Sequence, residues 1–315
     1  MTSADRAGRT AGATPRTTPS GEAQNQAEPV PVLRSSARTH RRRTPLADAL
    51  TYLVLLVAAV LTLAPFALSF MTAFKSPQQF ASEPALNLPN PITTENFVRL
   101  FSGDYSFISP IAVTAQMVAV ILVGQLLFSI MAAYAFAKLR FAGRDILFWI
   151  YLATLMVPQV VIVIPLYVMM VQTGMRNTFW SLVLPFMFGS PYAVFLLREH
   201  FRSIPNDLID AARIDGAGDW RILWQIVVPL SKGIVSTLAI ITVVSHWNNF
   251  MWPLIITSGR DWQVITVATA NLQSQYNANW TLVMAATTVA MAPLLVLFAI
   301  FQRTIVESIS LTGFK

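Results

Sequence analysis

Six stretches of this chain, about 49–70, 111–136, 146–171, 179–197, 233–256 and 280–301, contain no Asp, Glu, Lys or Arg. A helix needs about 20 apolar residues to cross the hydrocarbon core of a bilayer, and each run comes close to or exceeds that length. Six such runs separated by short polar breaks leave too little polar surface for a body dissolved in water. The composition points the same way, with 55% hydrophobic residues against 12% charged ones. The expected fold class is therefore all-α, an integral membrane protein with six transmembrane helices. Two of the runs hold paired prolines, Pro158 with Pro165 and Pro185 with Pro191. Neighbouring helices in a bundle can satisfy the carbonyls that proline frees, so these positions are expected as kinks.

Orientation follows from the basic residues, because positive charge near span ends resists translocation. With the N-terminus inside, only Lys75, Arg99, Arg176 and Arg260 of the 22 lysines and arginines fall in outer loops. Both termini and the loop at 198–232 are then expected in the cytoplasm. The net charge of +7 follows from this bias and from the N-terminal tail, and implies no nucleic acid partner. Residues 1–43 are rich in Thr, Ala, Arg, Pro and Ser and carry too little apolar surface to offset the entropy of ordering. They are expected as a disordered cytoplasmic tail ahead of a transmembrane domain at 44–315. "RTHRRR" at 38–43 would rest on anionic headgroups and anchor the inner end of the first span. The longest outer loop, 72–109, carries three prolines in "EPALNLPNPITTENF" and is expected to close over the outer mouth. The absence of cysteine excludes disulfides, thiolate metal sites and a cysteine nucleophile, and no metal site is expected.

The loop at 198–232 carries most of the chain's patterned charge. After Pro205 a short helix is expected, with Leu208, Ala211 and Ala212 on one apolar face and Asp207, Asp210 and Arg213 on the polar side. Asp215, Gly216 and Ala217 follow, the glycine supplying freedom for a sharp turn. A second helix from about Asp219 places Trp220, Leu223, Trp224 and Val227 at helical spacing, until Pro229 marks the entry to the next span. From shape alone this is either an interfacial amphipathic hairpin or a docking element.

The order of residues favours docking. "DAARIDGA" at 210–217 followed by "VPL" at 228–230 resembles the cytoplasmic loop signature of bacterial ABC importer permeases. "AAYAFAKLRFAGR" (132–144), "MVPQVVIVIPLYVMM" (156–170), "WNNFMWPL" (247–254) and the terminal "GFK" resemble landmarks of the carbohydrate, maltose-type branch of that family. Asp210 stands where the family usually carries glutamate. The resemblance implies a type I importer permease fold, and it implies that the loop is a coupling helix seated in a cytoplasmic ATPase. Ala211 and Ala212 would then permit close packing, Asp210 would meet a basic group on the ATPase, and Asp215 with Gly216 would shape the turn. It further implies a second homologous permease, two ATPase subunits and an extracytoplasmic solute-binding protein as partners, and that "SISLTGFK" (308–315) reaches the ATPase. The chain has no GxxxxGK[ST] phosphate loop, so it binds no cofactor of its own by that route and ATP belongs on the separate ATPase.

The spans themselves suggest an uncharged solute, because their only ionisable groups beyond tyrosine are histidine. His246, Trp247, Asn248 and Asn249, with Gln159, are candidate lining for a path taken by a sugar or polyol, since amides bond hydroxyls in both directions and an indole packs on a sugar face. The same residues serve equally as interhelix hydrogen bonds. Two other classes would leave their own marks. A membrane-embedded enzyme would need an HExxH, a GxSxG or a buried carboxylate pair, and a lone secondary transporter would need coupling carboxylates or inverted repeats. The sequence displays none of these.

Overall fold

The computed structural model describes residues 45–102, 106–275 and 279–312, without side chains at 45, 47, 274–275 and 303–312. The expectations for residues 1–43 and for the end of the chain past Thr312 lie outside them. The chain divides into two units, residues 1–55 and 56–315. Of the first, 45–55 is described and is helical throughout. The second holds the bundle.

Every described element is helical: α1 (Pro45–Ala73), α2 (Pro77–Ser82), α3 (Glu95–Phe101), α4 (Ile108–Lys138), α5 (Arg144–Ala153), α6 (Gln159–Gln172), α7 (Phe179–Val183), α8 (Pro191–Ser203), α9 (Asn206–Ile214), α10 (Asp219–Ile222), α11 (Val228–Leu230), α12 (Lys232–Trp247), α13 (Met251–Ile256), α14 (Ile265–Gln275) and α15 (Trp280–Thr312). The all-α expectation holds for the described residues. Within α1, α4 and α15, the stretches Asp48–Ala73, Ile108–Lys138 and Trp280–Gln302 are each long and apolar enough to cross a membrane as one helix.

The other three of the six apolar runs are interrupted. In the run at 146–171, α5 and α6 meet at an angle of 100°. The cause is Pro158, whose ring keeps the preceding residue out of the helical region; Val157 sits at φ −82°, ψ 117°. In the run at 179–197, α7 stops before Pro185, the backbone is irregular to Ser190, and Pro191 opens α8, where a missing donor costs nothing. In the run at 233–256, α12 ends at Trp247 and α13 begins at Met251. Three of the four paired prolines therefore mark breaks and not kinks. Of these four, Pro165 alone lies in a helix interior.

Irregular backbone survives at membrane depth only where protein covers it. The break at 184–190 is covered by α4 and α5. Ser129 Oγ accepts from the Ser190 N–H at 3.0 Å, and Tyr151 OH donates to the Gly189 carbonyl. Gly124 of α4 lies so close to this segment that a Cβ there would sit 2.5 Å from the Met187 carbonyl oxygen. α4 is the central strut. Toward its start Val113, Met117 and Ile121 join a cluster with Leu182, Trp252, Ile265 and Leu282; toward its end Ile130, Ala133 and Tyr134 join a second cluster with Val194, Leu197, Phe201 and Leu238.

The loop after α1 folds onto the start of α15. Buried Asn96 donates to the carbonyls of Ala73 and Lys75 at 2.8 Å each and accepts from Thr281 Oγ1 at 3.0 Å. This one amide ties three segments together.

Candidate functional site: the bent loop and its supports

The loop between α8 and α12 is a part of the second cluster. Ile204, Ile209, Ile222, Leu223 and Val227 are buried among the ends of α4, α8 and α12, with Ala212 and Ala217 packed against them. The predicted face of α9 is corrected by this packing. Ile209 is 2% exposed and Ala212 is half-buried, whereas Leu208 is 47% exposed and Ala211 is exposed beside it. The inward pair is Ile209 and Ala212, at i and i+3. Leu208, Ala211 and Ile214 instead form an outward apolar strip, Ile214 being 87% exposed, flanked by exposed Asp207, Asp210 and Asp215.

The turn after α9 explains the run of Asp215, Gly216 and Ala217. Gly216 N–H donates to the Arg213 carbonyl at 3.0 Å and Ala217 N–H to the Ala212 carbonyl at 2.9 Å. These two bonds make a Schellman closure, which requires a left-handed residue between them. Gly216 supplies it at φ 81°. Nothing lies within 4 Å of a Cβ built there, so the backbone conformation alone selects glycine.

Beyond the turn, Asp219 opens α10. Its Oδ1 accepts from Tyr134 OH on α4 at 3.2 Å and from Arg213 Nη2 on α9 at 3.0 Å. The bond to Asp219 is the main reason that Arg213 holds its proton more tightly than an ordinary arginine. Arg213 Nη1 also lies 3.7 Å from Asp210 Oδ1, leaving the Asp210 side chain mostly open to solvent. One turn along α4 from Tyr134, Lys138 Nζ donates to the Ile204 carbonyl at 2.7 Å and to Asn206 Oδ1 at 2.9 Å.

Pro229 acts through the backbone that precedes it. Its ring lacks a donor and crowds the carbonyl four residues back, and the chain answers with a π-helical stretch, Leu223–Val227, in which Val228 N–H reaches the Leu223 carbonyl. The helix then ends at Leu230. Ser231 Oγ caps the Val227 carbonyl at 2.7 Å, and α12 departs at 83° to the segment before it.

The candidate path residues differ in their partners. Trp247 is buried, 7% exposed, and its Nε1 donates to the Ala290 carbonyl of α15 at 3.0 Å. That bond is an interhelix bridge, the second of the two roles expected for these residues. His246 packs against the Phe186 ring of the 184–190 break, centroids 5.4 Å apart. Asn248 Nδ2 donates to the Val244 carbonyl at 2.9 Å and is exposed; Asn249 offers its carbonyl to Thr266 Oγ1 at 2.8 Å. Gln159 is exposed at the start of α6. Sequence reasoning missed Ile209, and it missed Tyr134 and Lys138 as partners of the loop. For Lys138 the signal was available, since Tyr134 and Lys138 stand four residues apart where an apolar run ends.

A helical bundle with broken spans and a bent loop built into one end defines a class, the membrane-embedded component of a transporter. In fold it is similar to a bacterial ABC transporter involved in the import of the acidic polysaccharide alginate, with a TM-score of 0.74 over 82% of this chain and 96% of that chain at 22% identity. A second structure, the alginate transporter in complex with an alginate pentasaccharide-bound periplasmic protein, gives a TM-score of 0.58 over 81% and 95%, at 20% identity. Residues 125–310 match the model of the binding-protein-dependent transport system inner membrane component, and the chain belongs to that family. Among its relatives, the diacetylchitobiose uptake system permease protein NgcG of Streptomyces coelicolor is 31% identical over 90% of this chain and 93% of that protein. The arabinooligosaccharides transport system permease protein AraQ of Halalkalibacterium halodurans is 32% identical over 72% and 81%. The sn-glycerol-3-phosphate transport system permease protein UgpE of Yersinia pestis is 31% identical over 83% and 95%.

Proposed function

We propose that this permease subunit imports a sugar or related neutral solute, driven by ATP that is bound and hydrolysed on two separate ATPase subunits. A second, homologous permease completes the path, and an extracytoplasmic binding protein delivers the solute. The termini and the loop at 198–232 face the cytoplasm, where the bilayer's anionic lipids meet the basic loops. The observation that carries the reading is the loop itself. Its inner face packs on the bundle through Ile209, Ala212 and Ala217, while its outer face presents Leu208, Ala211 and Ile214 among three carboxylates. An apolar strip with an acidic rim suits a partner groove with basic edges.

In this reading Asp210 and Ala211 contact the ATPase, Asp215 and Gly216 set the turn, and Pro229 directs the loop's second arm into α12. His246, Asn248, Asn249 and Gln159 supply the polar lining of the path. None of them is a fixed cation, which supports a neutral solute over a phosphate ester, although one relative's name specifies sn-glycerol-3-phosphate. Names of other relatives specify diacetylchitobiose and arabinooligosaccharides. The test is reconstitution in vesicles with the cognate ATPase and binding protein. ATP-dependent uptake of an oligosaccharide is expected. Uptake that persists without any ATPase would contradict the motor, and preference for glycerol phosphate would contradict the solute class.

A further inference from the structure

We infer that Tyr134 and Lys138 are positioning residues: a two-point polar grip by the end of α4 passes displacement of the loop to the rest of the bundle. The inference rests on the docking role proposed above for the loop. Two side chains four apart lie on one helical face, one turn from each other. Their contacts fall on opposite sides of α9. Lys138 holds the approach to the helix, at the Ile204 carbonyl and Asn206, and Tyr134 holds Asp219 beyond the Gly216 turn.

Between those points the loop is braced. The closure at Gly216 fixes the end of α9, and Arg213 ties α9 to the same Asp219 oxygen that Tyr134 uses. A single contact would let α9 pivot about it. Two contacts on either side of α9 resist rotation, so movement of α9 becomes movement of α4. The apolar contacts of Ile209, Ile222 and Leu223 are non-directional and can slide, whereas hydrogen bonds lose strength quickly with angle. Tyr134 is only 3% exposed, so its ring packs within the cluster while its hydroxyl reaches out to the loop.

A continuous set of contacts leads onward from α4. Thr242 Oγ1 of α12 donates to Gln125 Oε1 of α4 at 3.0 Å, and α12 ends at the residues that carry the candidate path. Pull on α4 therefore bears on the helix leading to His246 and Asn249. The loop also has a direct covalent route into α12 through the bend at Ser231. The grip on α4 makes the movement two-sided.

The experiment uses the complete transporter in vesicles and measures solute taken up per ATP hydrolysed. Tyr134→Phe removes one hydroxyl and keeps the ring. It is expected to lower that ratio about three- to tenfold, the range for losing one polar contact, while ATP hydrolysis continues. Lys138→Met is expected to lower the ratio as well. Adding Asp219→Ala to Tyr134→Phe should lower it less than the two separate effects combined, because both remove the same bond. An Ala211→Cys background reports docking by cross-linking to the ATPase. If cross-linking persists and the ratio is unchanged in both Tyr134→Phe and Lys138→Met, the grip is overturned and docking stands. If those variants lower transporter yield and uptake together at a constant ratio, the residues only stabilise the fold and the inference is again overturned. Absence of the cross-link in the Ala211→Cys chain without other changes would overturn the docking role itself.

Discussion

Tyr134 and Asp219, 85 positions apart in the chain, are joined by a 3.2 Å hydrogen bond that ties the end of the long span α4 to the far arm of the loop. The loop is thus fastened on one side and open on the other. That division sorts its residues into those whose loss should unfold the loop and those whose loss should impair its docking.

Ile209 and Leu208 are adjacent and similar in size, yet they should respond differently. Ile209→Ala empties a buried position and is expected to cost about 2–4 kcal/mol. Leu208→Ala removes an exposed side chain and is expected to change stability by less than about 0.5 kcal/mol while weakening association with the ATPase. Thermal unfolding of the detergent-solubilised chain, with co-purification of the ATPase, separates the two.

Gly216→Pro should abolish uptake without preventing insertion. Proline cannot take φ 81°, and it lacks the N–H that Gly216 gives to the Arg213 carbonyl. Gly216→Ala keeps the donor and pays only for the left-handed backbone, about 1 kcal/mol. Uptake should therefore fall in the order wild type, Ala, Pro at similar membrane levels.

Arg198 should not tolerate lysine. Its guanidinium lies 3.9 Å over the Phe148 ring and bonds to Glu199 at 2.8 Å, Asp145 at 3.4 Å and the Phe136 carbonyl at 3.4 Å, with the side chain only 10% exposed. An ammonium group cannot reproduce the planar stack and the fork together. Arg198→Lys is expected to destabilise by about 1–3 kcal/mol, of which the half-exposed carboxylates account for little. The melting temperature measures it.

Trp247 and Asn248 test the division between bridge and path. Trp247→Phe loses the bond to the Ala290 carbonyl and should lower stability by about 1 kcal/mol with little effect on solute preference. Asn248→Ala should leave the melting temperature in place and raise the KM for uptake, because its side chain is exposed and bonded only within its own helix. Equal behaviour of the two variants would remove the distinction.

The apolar runs were legible because the cost of charge in lipid writes itself directly into composition. Their interruptions were not, since an uncharged run reads alike whether it folds as one helix or as two half-helices. Proline identity did not separate the cases either: Pro165 continues α6 while Pro158 turns the chain by 100° just before it. The bend at Gly216 was legible because glycine enters the left-handed region at the least cost. The inward face of α9 was not, because Leu208 with Ala211 and Ile209 with Ala212 share the same spacing, and only the neighbouring helices decide between them. The Tyr134–Asp219 bond is a tertiary fact that no local pattern encodes.

The central claim is that a motor on the inner face acts through the outward side of α9. The chain contains no cysteine, so Ala211→Cys introduces a single thiol on that side. The decisive measurement is cross-linking of this thiol in intact vesicles during uptake. The account predicts a cross-link to the ATPase that arrests transport, with no labelling by an impermeant reagent added outside. Labelling from outside, or uptake proceeding with no ATPase within cross-linking reach, would contradict it.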